Sequence, residues 1–171
     1  MKRRTFLAGG LAAITLACGR RKAWWRFLTA DEAHTLEAIC TQIIPEDRDP
    51  GARRAGAVHF IDTQLTGFYR PLQETYRNGL AEIDRESVKF AGRPFAELPA
   101  DRQFEFLKRI ESNPFFDLLI DHTMQGFYGD PRHGGNFERV SWKMLGLAYP
   151  PVRGRLRYDL ADPAKGERPW G

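Results

Sequence analysis

Four histidines, two cysteines and 22 carboxylates are the side chains of this 171-residue chain best able to bind a metal or move a proton. Their spacing speaks against both uses. His34, His59, His122 and His133 are scattered, and only Asp121-His122 sets two ligand types side by side. Neighbouring residues on a helix point about 100° apart, which makes that pair a poor chelate. On an apolar helix face His122 reads more readily as a hydrogen-bonded core histidine. Asp117 and Asp121 share a face at i,i+4, a spacing common on solvated helices. Cys40 stands inside an apolar helical pattern and reads as a small core residue rather than a reactive thiol. No Cys-x-x-Cys-His run can attach haem c, and two cysteines cannot hold an iron–sulfur cluster on four thiolates. Dinucleotide fingerprint, Gly-x-Ser-x-Gly, His-Glu-x-x-His and P-loop are all missing. The residues themselves give no catalytic, cofactor-binding or metal site.

The unusual stretch is Gly126-Phe127-Tyr128-Gly129-Asp130-Pro131-Arg132-His133-Gly134-Gly135-Asn136, followed by Trp142-Lys143-Met144-Leu145-Gly146. Asp130-Pro131 turns the chain. Gly134 and Gly135 allow a positive φ or a close approach to another backbone. Asn136 can cap the next helix and bring Trp142 onto the surface that carries Phe127 and Tyr128. Two readings stay open: a tight loop that closes the domain, or a rigid aromatic docking surface for a partner.

The elements that must position these residues are helices. Thr29-Ala30-Asp31-Glu32 is a capping box, and Leu36, Ile39, Cys40, Ile43 and Ile44 follow at helical spacing until Pro45. Residues 45–56 read as a charged loop. Val58, Ile61 and Leu65 mark a second helix. Pro71 opens a third, with Leu72, Tyr76, Leu80 and Ile83 in one stripe ending near Gly92. A fourth begins at Pro99 or Ala100 and is expected to bury Phe104, Leu107 and Ile110. Asn113-Pro114 caps a fifth, with Phe115, Leu118, Leu119 and His122 running toward Gly126. No segment alternates with period two. The fold class is therefore all-α: one small helical domain of five or six helices over 29–149. Residues 150–171 form an extended, Pro-rich C-terminal arm with little to pack, expected to lie against a partner or stay disordered alone.

Ahead of the domain, residues 1–18 read as an export signal. Lys2, Arg3 and Arg4 form a basic head, and thirteen uncharged residues follow up to Ala17. Thirteen helical residues span about 20 Å, short of the ~30 Å hydrocarbon core. Arg3-Arg4-Thr5-Phe6-Leu7 matches the twin-arginine address, carried by Arg3, Arg4, Phe6 and Leu7, although Lys2 and Ala8 depart from it. A general secretory signal that happens to carry Arg-Arg is the alternative. Cys18, after Leu16-Ala17, is either a lipid acceptor or lost on cleavage. Residues 19–28 form a linker whose Trp24, Trp25 and Phe27 can serve a membrane interface, a partner's groove or the domain itself. The head also explains the charge. The chain is +4 overall, yet six of its 26 basic residues lie in the first 22 positions and no acid precedes Asp31. Beyond Lys22 the count is 20 basic against 22 acidic. Nucleic acid is excluded as a partner, since phosphate binding rests on neutralising many charges at once.

The run from Gly126 to Gly146, together with Ile43-Ile44-Pro45, Gly51-Ala52, Ala55-Gly56, Phe60-Ile61-Asp62, Phe95 and Leu98, resembles the gluconate 2-dehydrogenase subunit 3 family over residues 28–151. Arg132-His133 stands where an aromatic usually precedes the Gly pair, and Leu147-Ala148-Tyr149 replaces a shorter Gly-rich ending. The resemblance implies a periplasmic complex. A large subunit oxidises a sugar or polyol on FAD, a multihaem cytochrome c subunit takes the electrons, and this small subunit lends its twin-arginine signal. It also implies that Phe127, Tyr128, Gly134, Gly135, Asn136 and Trp142 face the large subunit, and that the chain carries no cofactor itself. An exported enzyme acting alone, or a lipid-anchored scaffold without a flavoprotein, are the competing classes.

Overall fold

Thr29 starts the first helix as a reciprocal cap: its Oγ1 accepts from Glu32 N at 3.2 Å while Thr29 N donates to Glu32 Oε2 at 2.7 Å. Such a box satisfies two amides that would otherwise lack an intrahelical partner. The computed structural model describes residues 25–147. The export signal with Arg3, Arg4, Phe6, Leu7 and Cys18, and the arm at 150–171, lie outside them. Among the described residues there are seven α-helices and no strand: α1 (Ala30–Ile43), α2 (Ala52–Ala55), α3 (Ala57–Leu65), α4 (Gln73–Ala91), α5 (Ala100–Arg109), α6 (Pro114–Tyr128) and α7 (Val140–Met144). Short 3-10 turns at Arg70–Leu72, Phe95–Glu97, Pro131–His133 and Phe137–Arg139 join them.

The fold is all-α, and the five long helices stand where their apolar spacing puts them. Two corrections concern short elements. The charged stretch 45–56 contains α2, a single turn whose Ala52 and Ala55 are buried and which ends at the left-handed Gly56. The fifth helix, α6, continues past Gly126 to Tyr128. A third correction concerns the stripe on α5. Phe104 is 55% exposed, while Gln103, Phe106 and Leu107 face inward. Phe106 meets the rings of Phe90 and Phe95 at 5.8 and 5.7 Å, and Gln103 Nε2 donates to Phe95 O. The helix is turned by the aromatic partners available to it, and Lys108 covers the displaced Phe104 ring.

Helix α1 is central and touches α2, α3, α4, α5 and α6. Leu36, Ile39, Ile61, Leu65, Tyr76, Leu80, Phe95 and Leu119 form one core around it. Each aliphatic side chain of that size stabilises by roughly 1.5–3 kcal/mol when fully buried. Helices α3 and α6 pack most extensively, and a Cβ on Gly126 would stand only 3.0 Å from Ala57 Cα. A second, smaller core of Ala55, Phe127 and Val140, backed by Ile44 and Met144, fixes α2 and α7 to the end of α6.

Candidate functional site

The loop after α6 is built on glycine at one point and strain at another. Gly134 has φ +98°, and a Cβ on Gly135 would lie 2.2 Å from Gly126 O and 3.0 Å from Phe60 Cβ. One glycine of the pair thus supplies the left-handed turn and the other the close approach. Asn136, Glu138 and Arg139 then adopt positive φ of 46°, 53° and 60°. A left-handed non-glycine residue costs about 1–2 kcal/mol, least for Asn.

Asn136 holds the loop together. It is fully buried. Its Nδ2 donates to Gly129 O at 3.0 Å, its N–H to Gly126 O at 2.8 Å, and its Oδ1 accepts from Ser141 N at 3.1 Å. It was expected to cap the next helix as its flanking residue; Arg139 takes that position, and Asn136 reaches α7 from three residues further back. Trp142 does join the loop surface, its Nε1 donating to Tyr128 O at 2.7 Å.

The six loop residues singled out from sequence divide by depth. Phe127 is 1% exposed and Gly135 and Asn136 are buried, so these three are interior parts of the chain. Phe127 goes inside because α6 gains an extra half-turn and aims it at Ala55 and Val140. Tyr128 is 39% exposed, and Trp142 and Gly134 are half-buried. The accessible part of the loop is therefore Tyr128 and Trp142, with Phe137 beyond them.

Inside the bundle the titratable side chains face one another. Tyr76 Oη and His122 Nδ1 are 2.7 Å apart, the Tyr69 ring stacks on the imidazole with centroids 3.9 Å apart, and Tyr69 Oη donates to Gln125 Oε1. Burial lowers the His122 pKa below its ordinary 6.5, and the neighbouring Asp121 carboxylate works against that. His122 is the hydrogen-bonded core histidine its position implied. Cys40 is fully buried against Thr123 Oγ1 at 3.2 Å, and burial pushes its thiol up to about 12. A thiol with that pKa stays protonated at neutral pH and is a poor nucleophile. Asp117 and Asp121 are both exposed. Among the described residues no three His, Cys, Asp or Glu side chains converge as metal ligands. A groove of about 340 Å³ beside the end of α1 is lined by Thr41, Gln42, Glu46 and Arg53, among others.

Sequence reasoning gave Asp62 no role, yet it makes the most concentrated polar contact of the domain. Almost fully buried on α3, it accepts from Arg26 N at 2.7 Å, Phe27 N at 2.9 Å and Leu28 N at 3.0 Å. Arg77 clamps the same segment. Its Nη1 donates to both Glu32 carboxylate oxygens at 2.6 and 2.8 Å, its Nη2 to Phe27 O at 3.2 Å, and its guanidinium lies 4.4 Å from the Phe27 ring centroid. A carboxylate placed mid-helix between Ile61 and Thr63 was the available signal. Its partners are backbone amides more than 30 residues away, which no local pattern names.

The fold and this site define a small helical domain whose notable side chains build a rigid loop and a pinned N-terminal segment. Residues 30–148 match the family model described as gluconate 2-dehydrogenase subunit 3. The chain belongs to that family, and its members form one subunit of a multi-subunit dehydrogenase. No curated protein and no solved structure matches it.

Proposed function

We propose that this chain is the non-catalytic small subunit of a periplasmic, FAD-dependent gluconate, sugar or polyol dehydrogenase. It supports twin-arginine export and assembly of the large flavoprotein. FAD belongs to that large subunit and haem c to a multihaem cytochrome subunit. Membrane association comes through the complex or through a lipid on Cys18. The match over residues 30–148 carries the reading. The preorganised loop supports it, since strain stored away from any reaction centre is accounted for by a surface held ready for a partner. On this reading Tyr128 and Trp142 meet the large subunit, with Phe127, Gly134, Gly135 and Asn136 beneath them as the frame, and the arm from Pro150 extends the contact.

The decisive experiment is co-expression with the flavoprotein, tagged on this chain. The purified pair is expected to be yellow and to oxidise sugar or polyol, and this chain alone to be colourless and inactive. Sugar oxidation by the isolated chain overturns the proposal; failure to retain any flavoprotein favours the lipid-anchored scaffold. Export is read separately. Replacing Arg3 and Arg4 by Lys is expected to hold both proteins in the cytoplasm, and Cys18→Ala to release the complex from membranes if the cysteine is acylated.

A further inference from the structure

We infer that residues 20–27 form a lipid-binding segment that lays the Trp25, His59 and Phe137 face of the domain on an anionic membrane surface. Arg20, Arg21, Lys22 and Arg26 put four positive charges in seven positions, interleaved with Trp24, Trp25 and Phe27, and the first acid of the chain is Asp31. Basic side chains next to indoles match both layers of a bilayer surface: phosphate headgroups and, just below, the interfacial zone where Trp settles.

The fold decides where this segment emerges. Asp62 and Arg77 fix residues 26–28 to α3 and α1, so the segment leaves the bundle at Trp25. The Trp25 ring lies 4.6 Å from His59, which lies 5.3 Å from Phe137. Arg26 and His59 are exposed, and Phe137 is 41% exposed. The basic run, the indoles and an exposed phenyl ring therefore share one face. Cys18 is seven residues before Trp25, at most about 25 Å away. A lone acyl chain binds membranes only marginally and gains stable attachment from a basic patch of this kind. The inference needs neither the export nor the dehydrogenase reading, because it concerns charge and exit geometry alone.

The test is sedimentation with vesicles, using the chain from Gly19 onward, which keeps every contact described above and lacks the apolar signal. It is expected to bind mixed phosphatidylglycerol–phosphatidylcholine vesicles, to bind pure phosphatidylcholine far more weakly, and to be released as salt screens the charges. Changing Arg20, Arg21 and Lys22 to Gln is expected to weaken binding on the order of 100-fold, about fivefold per charge. Phe137→Ala is expected to weaken it several-fold, and Phe104→Ala, on the α5 helix that packs on α1 and α4, to leave it unchanged. A circular-dichroism melt confirms that each variant is folded. Equal binding to both lipids, or a triple variant that binds like its parent, overturns the proposal. So does association that appears only when the flavoprotein is added, which would make the segment a protein contact.

Discussion

His122 and Asp62 show how single buried groups set the stability of this domain. Burial holds the His122 pKa below the ordinary 6.5. Between those two values the unfolded chain binds a proton that the native one does not, so stability rises with pH there. The contribution is complete above about 6.5 and is lost as pH falls from there through the lower native value. Wild-type protein is therefore expected to lose more melting temperature between pH 7.5 and 5 than His122→Gln, and parallel profiles would assign the loss to other groups. Asp62 acts through charge-assisted hydrogen bonds, each worth about 1.5–3 kcal/mol. Asp62→Ala is expected to destabilise by about 2–3 kcal/mol in denaturant and to raise amide exchange at residues 26–28 selectively. Unchanged exchange at those amides would mean that Arg77 and Phe27 hold the segment without it.

At the scale of elements, the contact between α6, α3 and the loop at 134–139 is set by clearance. Gly135 lies against the Gly126 carbonyl, a backbone atom that cannot swing aside as a side chain would. Overpacking of a filled interior costs typically about 1–3 kcal/mol. Gly135→Ala is expected to fall in or above that range, and to loosen the Asn136 bonds to Gly126 and Gly129. The check is a denaturation curve together with the Trp142 fluorescence signal, which reports the loop through its bond to Tyr128. A variant as stable as the parent, with the same emission, would show that the loop has room it is not credited with. Surface ion pairs such as Lys89–Glu86 and Arg102–Glu105 are exposed and hold little of the fold by comparison.

For the molecule as a whole, the question is whether the loop serves the core or a partner, and depth lets the two be separated. Phe127 belongs to the small core with Ala55 and Val140, so Phe127→Ala is expected to cost about 3–5 kcal/mol of stability. Tyr128 points outward, so Tyr128→Ala is expected to leave a cooperative melt intact. Under the proposed function the same change weakens capture of the flavoprotein by about 2 kcal/mol or more, the range of an interface hot spot. Capture that survives Tyr128→Ala and Trp142→Ala would move the interface to another face of the bundle.

The helical class, the five long helices with their caps, the buried state of Cys40 and His122 and the separate jobs of the two loop glycines were legible in the residue order. Each rests on local rules: a 3.6-residue period, a side chain reaching its own backbone, a glycine where φ turns positive. The turn of α5 that exposes Phe104, the one-turn α2, the inward aim of Phe127 and the hold of Asp62 on residues 26–28 were not. Those depend on which surfaces meet after the helices assemble. Phe106 beat Phe104 to the core because Phe90 and Phe95 were waiting for it, and Asp62 found amides delivered from 34 to 36 residues away. Period and capping act along a chain within a turn or two; burial of aromatics and of a charge is settled only by partners that tertiary packing brings together.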